Sequence, residues 1–416
     1  MESLDRFPSS MSHLVWPVSV CGVAMGGLLS PGLSHMPEKK LRVVHILGNL
    51  SYGGLQCLVL NLIKELPSFS HIVIFQSEEK GVLYPQYASV SDMRQCAYHR
   101  GRTLDFFLRL TKLLREIGPD VVVAHLFGNH TLVSWAAFLS GVPATYGVSA
   151  NDPIFFSKSL WKPMALAQAA RPFCRGEIAV SEAVGRILTS RLHLPSRRVR
   201  VIPNGCPVEE IATRAAAGRK AAHQPGGRTA RAFMAASLGR NKDHPTALRA
   251  VQLLRRQGRS VELWLAGSAF RESARTSVES LTDQLGIRDL VRFLGVREDV
   301  PELMGASDIV VHATNSEGFS IAVLEAMAAG VPVIATDIPP CREALDGGRC
   351  GLLVPRGDSP ALAEAIRQIL DDEGLRLRLV EAASERVRSH YHVKRMAAGY
   401  AKLLLASRKR MPASLQ

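Results

Sequence analysis

Cysteine is scarce and scattered, seven in 416 residues, with no C-x-x-C pair and no cluster at metal-ligand spacing. That excludes a disulfide framework and a structural zinc, and it predicts reduced thiols in a cytosolic compartment. Aromatics make up only 6% of the chain, and no aromatic-interleaved basic strip or helix-turn-helix pattern accompanies the basic runs Arg197-Arg198, Arg255-Arg256 and Arg408-Lys409-Arg410. Nucleic acid is therefore not an expected partner, although the net charge is +14. Anionic small molecules and an acidic membrane face account for that sign equally well. No unbroken apolar run is long enough to span a bilayer: Leu14 to Leu33 is interrupted by Pro17, Gly22, Gly26, Gly27, Pro31 and Gly32. Residues 1–36 read as a disordered extension, or as translation begun upstream of Met36, ahead of a signal peptide or anchor. A hydrophobic Asp-x-Asp metal motif is missing, and no protein nucleophile is evident.

What is present is a soluble globular chain, 47% hydrophobic and 21% charged, long enough for two domains. From Leu41 onward, buried-strand patterns alternate with helical ones, which predicts parallel sheets covered on both faces. Strands are expected at Leu41–Leu47, His71–Gln76, Asp120–Leu126, Ala144–Val148, Glu177–Ser181 and Val199–Pro203 in the first half. A second series covers Phe233–Leu238, Val261–Ala266, Val291–Leu294, Asp308–His312, Pro332–Thr336 and Gly351–Val354. Two Rossmann-like units follow, at 37–211 and 232–394. Between them, 212–231 is rich in Ala, Arg and Gly and reads as a linker with a helical start.

The most informative stretch runs from Glu317 to Glu325. Strand Asp308–His312 ends in Ala313-Thr314-Asn315-Ser316, Gly318 permits a sharp turn, and Ser320 can cap the helix that follows. Free N–H groups then gather at 318–321, a helix mouth suited to a diphosphate. At about 1.5 Å rise per residue, Glu325 lies roughly 7 Å along the helix with its side chain leaning back, where a ribose diol would be. Glu317 sits in the turn, free to face a sugar.

These residues, with Ala326-Met327-Ala328-Ala329-Gly330-Val331-Pro332-Val333 behind them, resemble glycosyltransferase family 4, whose hallmark is two glutamates with seven residues between them. The resemblance covers about 41 to 405. It implies the GT-B fold, an α/β architecture of two facing Rossmann-like domains with parallel sheets, and a last helix, roughly 395–416, packing back on the first domain. It also implies a retaining hexosyltransferase that needs no metal or other cofactor. The nucleotide-sugar donor would bind the second domain, and a glycan or lipid-linked acceptor the first. By the same resemblance Glu325 would bind the ribose, Gly318, Phe319 and Ser320 the diphosphate, and Glu317 the transferred sugar. The implied setting is cell-surface polysaccharide or glycolipid synthesis, in the cytoplasm or at the inner membrane face.

Other segments qualify this reading. Gly48 to Leu55 follows the first strand and opens a helix; it is not G-x-G-x-x-G, but the family places this loop at the cleft, which makes Gly53 and Gly54 candidates. In the second domain, Lys242 matches a family ammonium that would meet the departing diphosphate. The usual arginine five residues earlier is Ser237 here, with Arg240 as a substitute or a solvated charge. Where relatives end a strand with histidine stands Ser149, near Asn151 and Asp152, and His125 ends the strand before. Ser181-Glu182 and Asn204-Gly205 serve as fold landmarks and, read alone, as an ordinary cap and turn. Phe155 to Met164 mixes aromatics with lysines, an interfacial surface or a packed helix broken at Pro163. A nucleotide-sugar epimerase and a non-catalytic nucleotide-sugar-binding protein remain as alternatives.

Overall fold

The computed structural model describes residues 40–125, 130–152, 161–222, 229–269 and 272–408. The expected extension 1–36, the end of the C-terminal segment beyond 408, Gln224 to Gly227 and Phe155 to Leu160 lie outside the described residues. From Lys40 onward the chain packs as one compact unit.

Two parallel sheets organise it. The first contains β1 (Arg42–Leu47), β2 (Ser70–Phe75), β3 (Asp92–Gln95), β4 (Val121–His125), β5 (Ala144–Ser149), β6 (Gly176–Ala179) and β7 (Val199–Val201). Its order is β3-β2-β1-β4-β5-β6-β7. The second contains β8 (Ala230–Ala235), β9 (Val261–Ala266), β10 (Val291–Gly295), β11 (Ile309–His312), β12 (Val333–Thr336) and β13 (Leu352–Val354), ordered β10-β9-β8-β11-β12-β13. Strands such as Val121-Val122-Val123-Ala124 are buried throughout, because helices cover both faces. The sequence reading missed β3: Asp92, Arg94 and Gln95 are exposed on this edge strand, so it carries no apolar signal.

The segment expected as a linker is ordered secondary structure at both ends. Helix Val208–Ala222 runs through it and β8 begins at Ala230. Its alanines and arginines are good helix formers, and Ile211, Ala215 and Gly218 are buried against helix Val300–Gly305. The two backbones touch: a Cβ at Gly218 would fall on the Glu302 main chain, and one at Gly305 on that of Ala215. Arg214 and Glu302 close the crossing with two hydrogen bonds of 2.8 Å. Pro163 breaks nothing, since it lies in the first turn of helix Trp161–Ala170, where a missing N–H costs least.

Helix Val393–Arg408 packs back on the first domain. Tyr400 and Leu404 are buried, Ser407 Oγ lies 2.9 Å from Tyr146 Oη on β5, and Arg175 donates to the Ser407 carbonyl at 3.1 Å. The crossing at Gly218 predicts that Gly218→Val or Gly305→Val forces the two helices apart and costs about 1–3 kcal/mol. A urea midpoint equal to that of the parent protein would show that this contact is not needed.

Candidate active site

Each sheet reverses its strand order once, between β1 and β4 in the first and between β8 and β11 in the second. In open parallel sheets, the crevice beyond the strand ends at such a switch point is where ligands bind. The second switch point carries Lys242, in the loop after β8, and Glu317, in the loop after β11. Those loops are stitched together: Asn315 donates its N–H to the Asn241 carbonyl at 2.7 Å, and Asp243 to that of Ala313 at 3.1 Å. The Thr314 hydroxyl also donates to Asn241 at 2.8 Å.

This stitching sets Lys242 on the Glu317 carboxylate as a nearly buried ion pair, with side chains 13% and 9% exposed. The His312 ring stands 2.9 Å from the same oxygen, Oε1, and the Thr314 hydroxyl 3.3 Å from it. Burial pushes the Glu317 pKa up, but the Lys242 charge and His312 outweigh it and hold the carboxyl at about 2. Every protein donor falls on Oε1, so among the described residues Oε2 is left for a ligand. The sequence reading left Glu317 free in its turn and gave Lys242 to the departing diphosphate. The structure binds the two together, at the edge of the helix mouth.

That mouth is built as the motif implied, and the first domain holds it. Ser320 caps helix Ile321–Ala328 by accepting the Val323 N–H at 3.4 Å. The Ser181 hydroxyl donates to the Gly318 carbonyl at 2.7 Å, and the Asn204 amide to that of Phe319 at 3.1 Å. Ser181 also caps its own helix, accepting from Val184 N at 3.1 Å, so the cap and the turn singled out in the sequence are cross-domain clamps. A Cβ at Gly318 would strike the Ala150 carbonyl and the Asn151 Cα; only glycine lets the β5 loop approach so closely. Gly54 rests on the Ile321 side chain, with 3.2 Å available to a Cβ. Gly53 has φ −173°, an extended backbone open to any residue, and a Cβ there would meet only the Gln56 side chain.

Glu325 is a carboxylate without a partner. Among the described residues it makes no side-chain hydrogen bond or ion pair, and burial, only partly offset by Arg214, lifts its pKa to about 7. It lies near Tyr52 and Cys57, whose pKa values are raised by burial and further by Glu325, Cys57 to about 11. Arg214 is committed to Glu302, so it does not neutralise Glu325. Arg240 is exposed and makes no ion pair among the described residues. In the first domain, Ser149 donates to Glu177 Oε2 at 3.4 Å, beside His130 Nδ1, also 3.4 Å from that oxygen. His125 is buried at the end of β4. Sequence reasoning missed His312, Thr314, Arg214, Tyr52 and Glu177. Of these only His312 gave a signal, a titratable group closing an apolar strand five residues before Glu317. Among the described residues, no group of three or more His, Cys, Asp or Glu could hold a metal ion.

Two family models match in succession, Glycosyltransferase Family 4 over residues 52–210 and Glycosyl transferases group 1 over 219–386. The chain belongs to glycosyltransferase family 4. Among curated relatives, the phosphatidyl-myo-inositol mannosyltransferase of Mycobacterium leprae is 36% identical over 31% of this chain and 34% of its own. The lipopolysaccharide core biosynthesis glycosyltransferase LpsE of Rhizobium meliloti is 32% identical over 35% of this chain and 42% of its own. The chain thus matches well under half the length of these relatives. Among solved structures, Anabaena Alr3699/HepE in complex with UDP and glucose superposes with a TM-score of 0.77 over 88% of this chain and 100% of the other, at 18% identity. The fold is GT-B, as the resemblance implied. The family 4 glutamate pair occupies two unlike environments, one carboxylate held charged and the other poised near neutrality.

Opposite signs of pH dependence follow. Glu317, with its pKa depressed, adds stability that is present above the ordinary carboxyl range and lost as pH falls towards 2. Glu325, with its pKa raised to about 7, costs nothing below the ordinary carboxyl pKa and takes stability away as pH rises from there to about 7, above which the loss is constant. Glu325→Gln should therefore raise stability at pH 8 by about 1–3 kcal/mol, and the gain should vanish near pH 4.5. Thermal melts across this range check it; a gain independent of pH would contradict the assigned environment.

Proposed function

We propose that the protein is a retaining glycosyltransferase that moves a sugar from a nucleoside diphosphate sugar to a hydroxyl of a glycan or lipid-linked saccharide, in cell-surface polysaccharide or glycolipid synthesis. One observation carries the reading: at the switch point of the second sheet, an ammonium and a half-satisfied carboxylate flank a capped helix mouth whose carbonyls are already taken. The amides at 318–320 and Lys242 receive the diphosphate, and Glu325, lacking a partner, accepts the ribose diol. Glu317, through Oε2, orients the sugar. The names of the mannosyltransferase and lipopolysaccharide relatives, and of the HepE complex with UDP and glucose, support this class of donor and acceptor.

In the proposed step, the acceptor oxygen bonds to the anomeric carbon as the bond to the β-phosphate breaks, its electron pair passing to the phosphate oxygen. The acceptor proton goes to that same oxygen, on the same face of the sugar, which retains configuration. Charge building on the leaving diphosphate meets Lys242 and the helix amides, so the chemistry asks for no metal or other cofactor. Arg240, exposed beside this loop, can add to the field only at longer range. No described helix is long and apolar enough to cross a membrane. Exposed Phe138 and Leu139 on helix His130–Leu139, with the basic surplus, favour contact with an anionic inner membrane face.

Calorimetry with nucleoside diphosphates tests the assignment. Glu325→Ala and Lys242→Ala should each weaken binding about 10- to 100-fold, the range of a lost hydrogen-bonded or ionic contact. Glu317→Ala should abolish transfer while leaving nucleotide affinity equal or better, because it releases Lys242 from its internal partner. Unchanged affinity in both of the first two variants would overturn the site. Turnover of the donor without acceptor, followed by NMR, would point to an epimerase instead.

A further inference from the structure

Three histidines form a hydrogen-bonded line through the first sheet that the reaction above leaves unused. His71 on β2 is paired in register with Val43, His45 on β1 lies level with Val73 and Val123, and His125 on β4 is paired with Leu47. Positions 43, 45 and 47 share one face of the sheet, so the rings run diagonally from its N-terminal edge to the end of β4. All are buried, with exposures of 6% for His71, 0% for His45 and 1% for His125. His71 Nε2 lies 2.8 Å from the Leu66 carbonyl, His45 Nε2 3.1 Å from His71 Nδ1, and His125 Nε2 3.1 Å from His45 Nδ1.

The carbonyl fixes the direction of the whole line. It can only accept, so His71 must carry its proton on Nε2. Burial lowers the pKa of all three rings, His125 to about 3, so each is neutral and holds a single proton. His71 Nδ1 is then an acceptor, His45 must donate to it from Nε2, and His125 must donate to His45 from its own Nε2. What remains is His125 Nδ1, an acceptor with no hydrogen-bond partner among the described residues. A buried acceptor left unpaired is costly, and it calls for a donor from a ligand. His125 ends β4 at the first sheet's switch point, between β1 and β5; Gly54, which opens the helix after β1, meets Ile321, and the loop after β5 meets Gly318 at the helix mouth.

We propose that His125 Nδ1 accepts a hydrogen bond from a carbohydrate hydroxyl in the cleft, and that His45 and His71 are positioning residues that lock it as an acceptor. The inference rests on the glycosyl-transfer reading for the identity of the ligand and on the hydrogen-bond geometry for the tautomer. An acceptor at this point selects for a hydroxyl and against a carbonyl or phosphate oxygen placed there.

Imidazole 15N spectra of the full chain test it directly, with UDP, GDP, UDP-glucose and GDP-mannose as probes. All three rings should be neutral with the proton on Nε2, and the His125 Nδ1 signal should move with a nucleotide sugar but not with the nucleotide alone. His71→Phe removes the acceptor for His45, which can then turn its donor towards His125 and drive the proton of His125 onto Nδ1. The gain in affinity from the sugar should then fall about tenfold, with nucleoside diphosphate affinity kept within twofold. His71→Gln, whose amide can donate to Leu66 and accept from His45, should restore both tautomer and affinity. The donor KM should rise with the acceptor KM unchanged, as expected for a hydroxyl of the donor sugar. A proton on His125 Nδ1 in the parent protein, or His71→Gln as impaired as His71→Phe, would overturn the proposal. Should His71→Phe fail to fold, the parent spectra with and without sugar decide. No nucleotide binding at all would sink the transfer reading, whereas normal nucleotide binding with a His125 signal indifferent to sugar would sink this inference alone.

Discussion

The turn at Gly318 and Phe319 is the constraint on which the rest of the site depends. Its two carbonyls are taken by Ser181 and Asn204 of the first domain, which holds the mouth of the following helix against that domain. The same contacts bring the β5 loop onto Gly318, where any side chain would collide. A second cross-domain tie reinforces them: the Glu343 carboxylate accepts the N–H groups of Glu182 at 2.9 Å and Ala183 at 3.0 Å, capping the helix that Ser181 opens. Charged acceptors at a helix start are favourable both as hydrogen bonds and against the dipole. Arg386 in turn donates to the Glu343 and Ala344 carbonyls at 2.8 and 2.9 Å, fixing the element that carries this carboxylate.

Around that turn the protein separates two carboxylates by environment. Glu317 is satisfied on one oxygen by a cation and an imidazole, which keeps it ionised despite its burial. Glu325 has its charge desolvated with only a distant arginine to offset it, so it titrates near neutral pH. Eight residues apart in one segment, they differ because β8 brings Lys242 to the first, whereas helix Val208–Ala222 brings the second only an arginine already spent on Glu302. An ion pair that can exchange an internal partner for a ligand, beside a carboxylate waiting for a donor, is a site whose polar groups are balanced only when it is filled.

Part of this was legible in the chain. Twelve of the strands lie within a few residues of where apolar runs and turn residues put them, because doubly covered parallel strands must be apolar throughout. The strand–turn–helix around Glu317 and Glu325 could be read from Gly318 and Ser320, since capping and turn chemistry are local. The polar edge strand Asp92–Gln95 could not, as it buries too little to leave a pattern. Helix Val208–Ala222 passed for a linker because its signal is alanine and arginine, and what makes it structural is a glycine crossing with a distant helix.

The sequence by itself determined two Rossmann-like units and one helix mouth with its flanking glutamates, for these depend on residues within a few turns of one another. Only the tertiary structure decided that Lys242 rests on Glu317, that Ser181 and Asn204 hold the mouth, and that three histidines from different strands share one line of protons. Those contacts join residues 26 to 137 positions apart. Strand order and domain packing set them, and neither leaves a period along the chain.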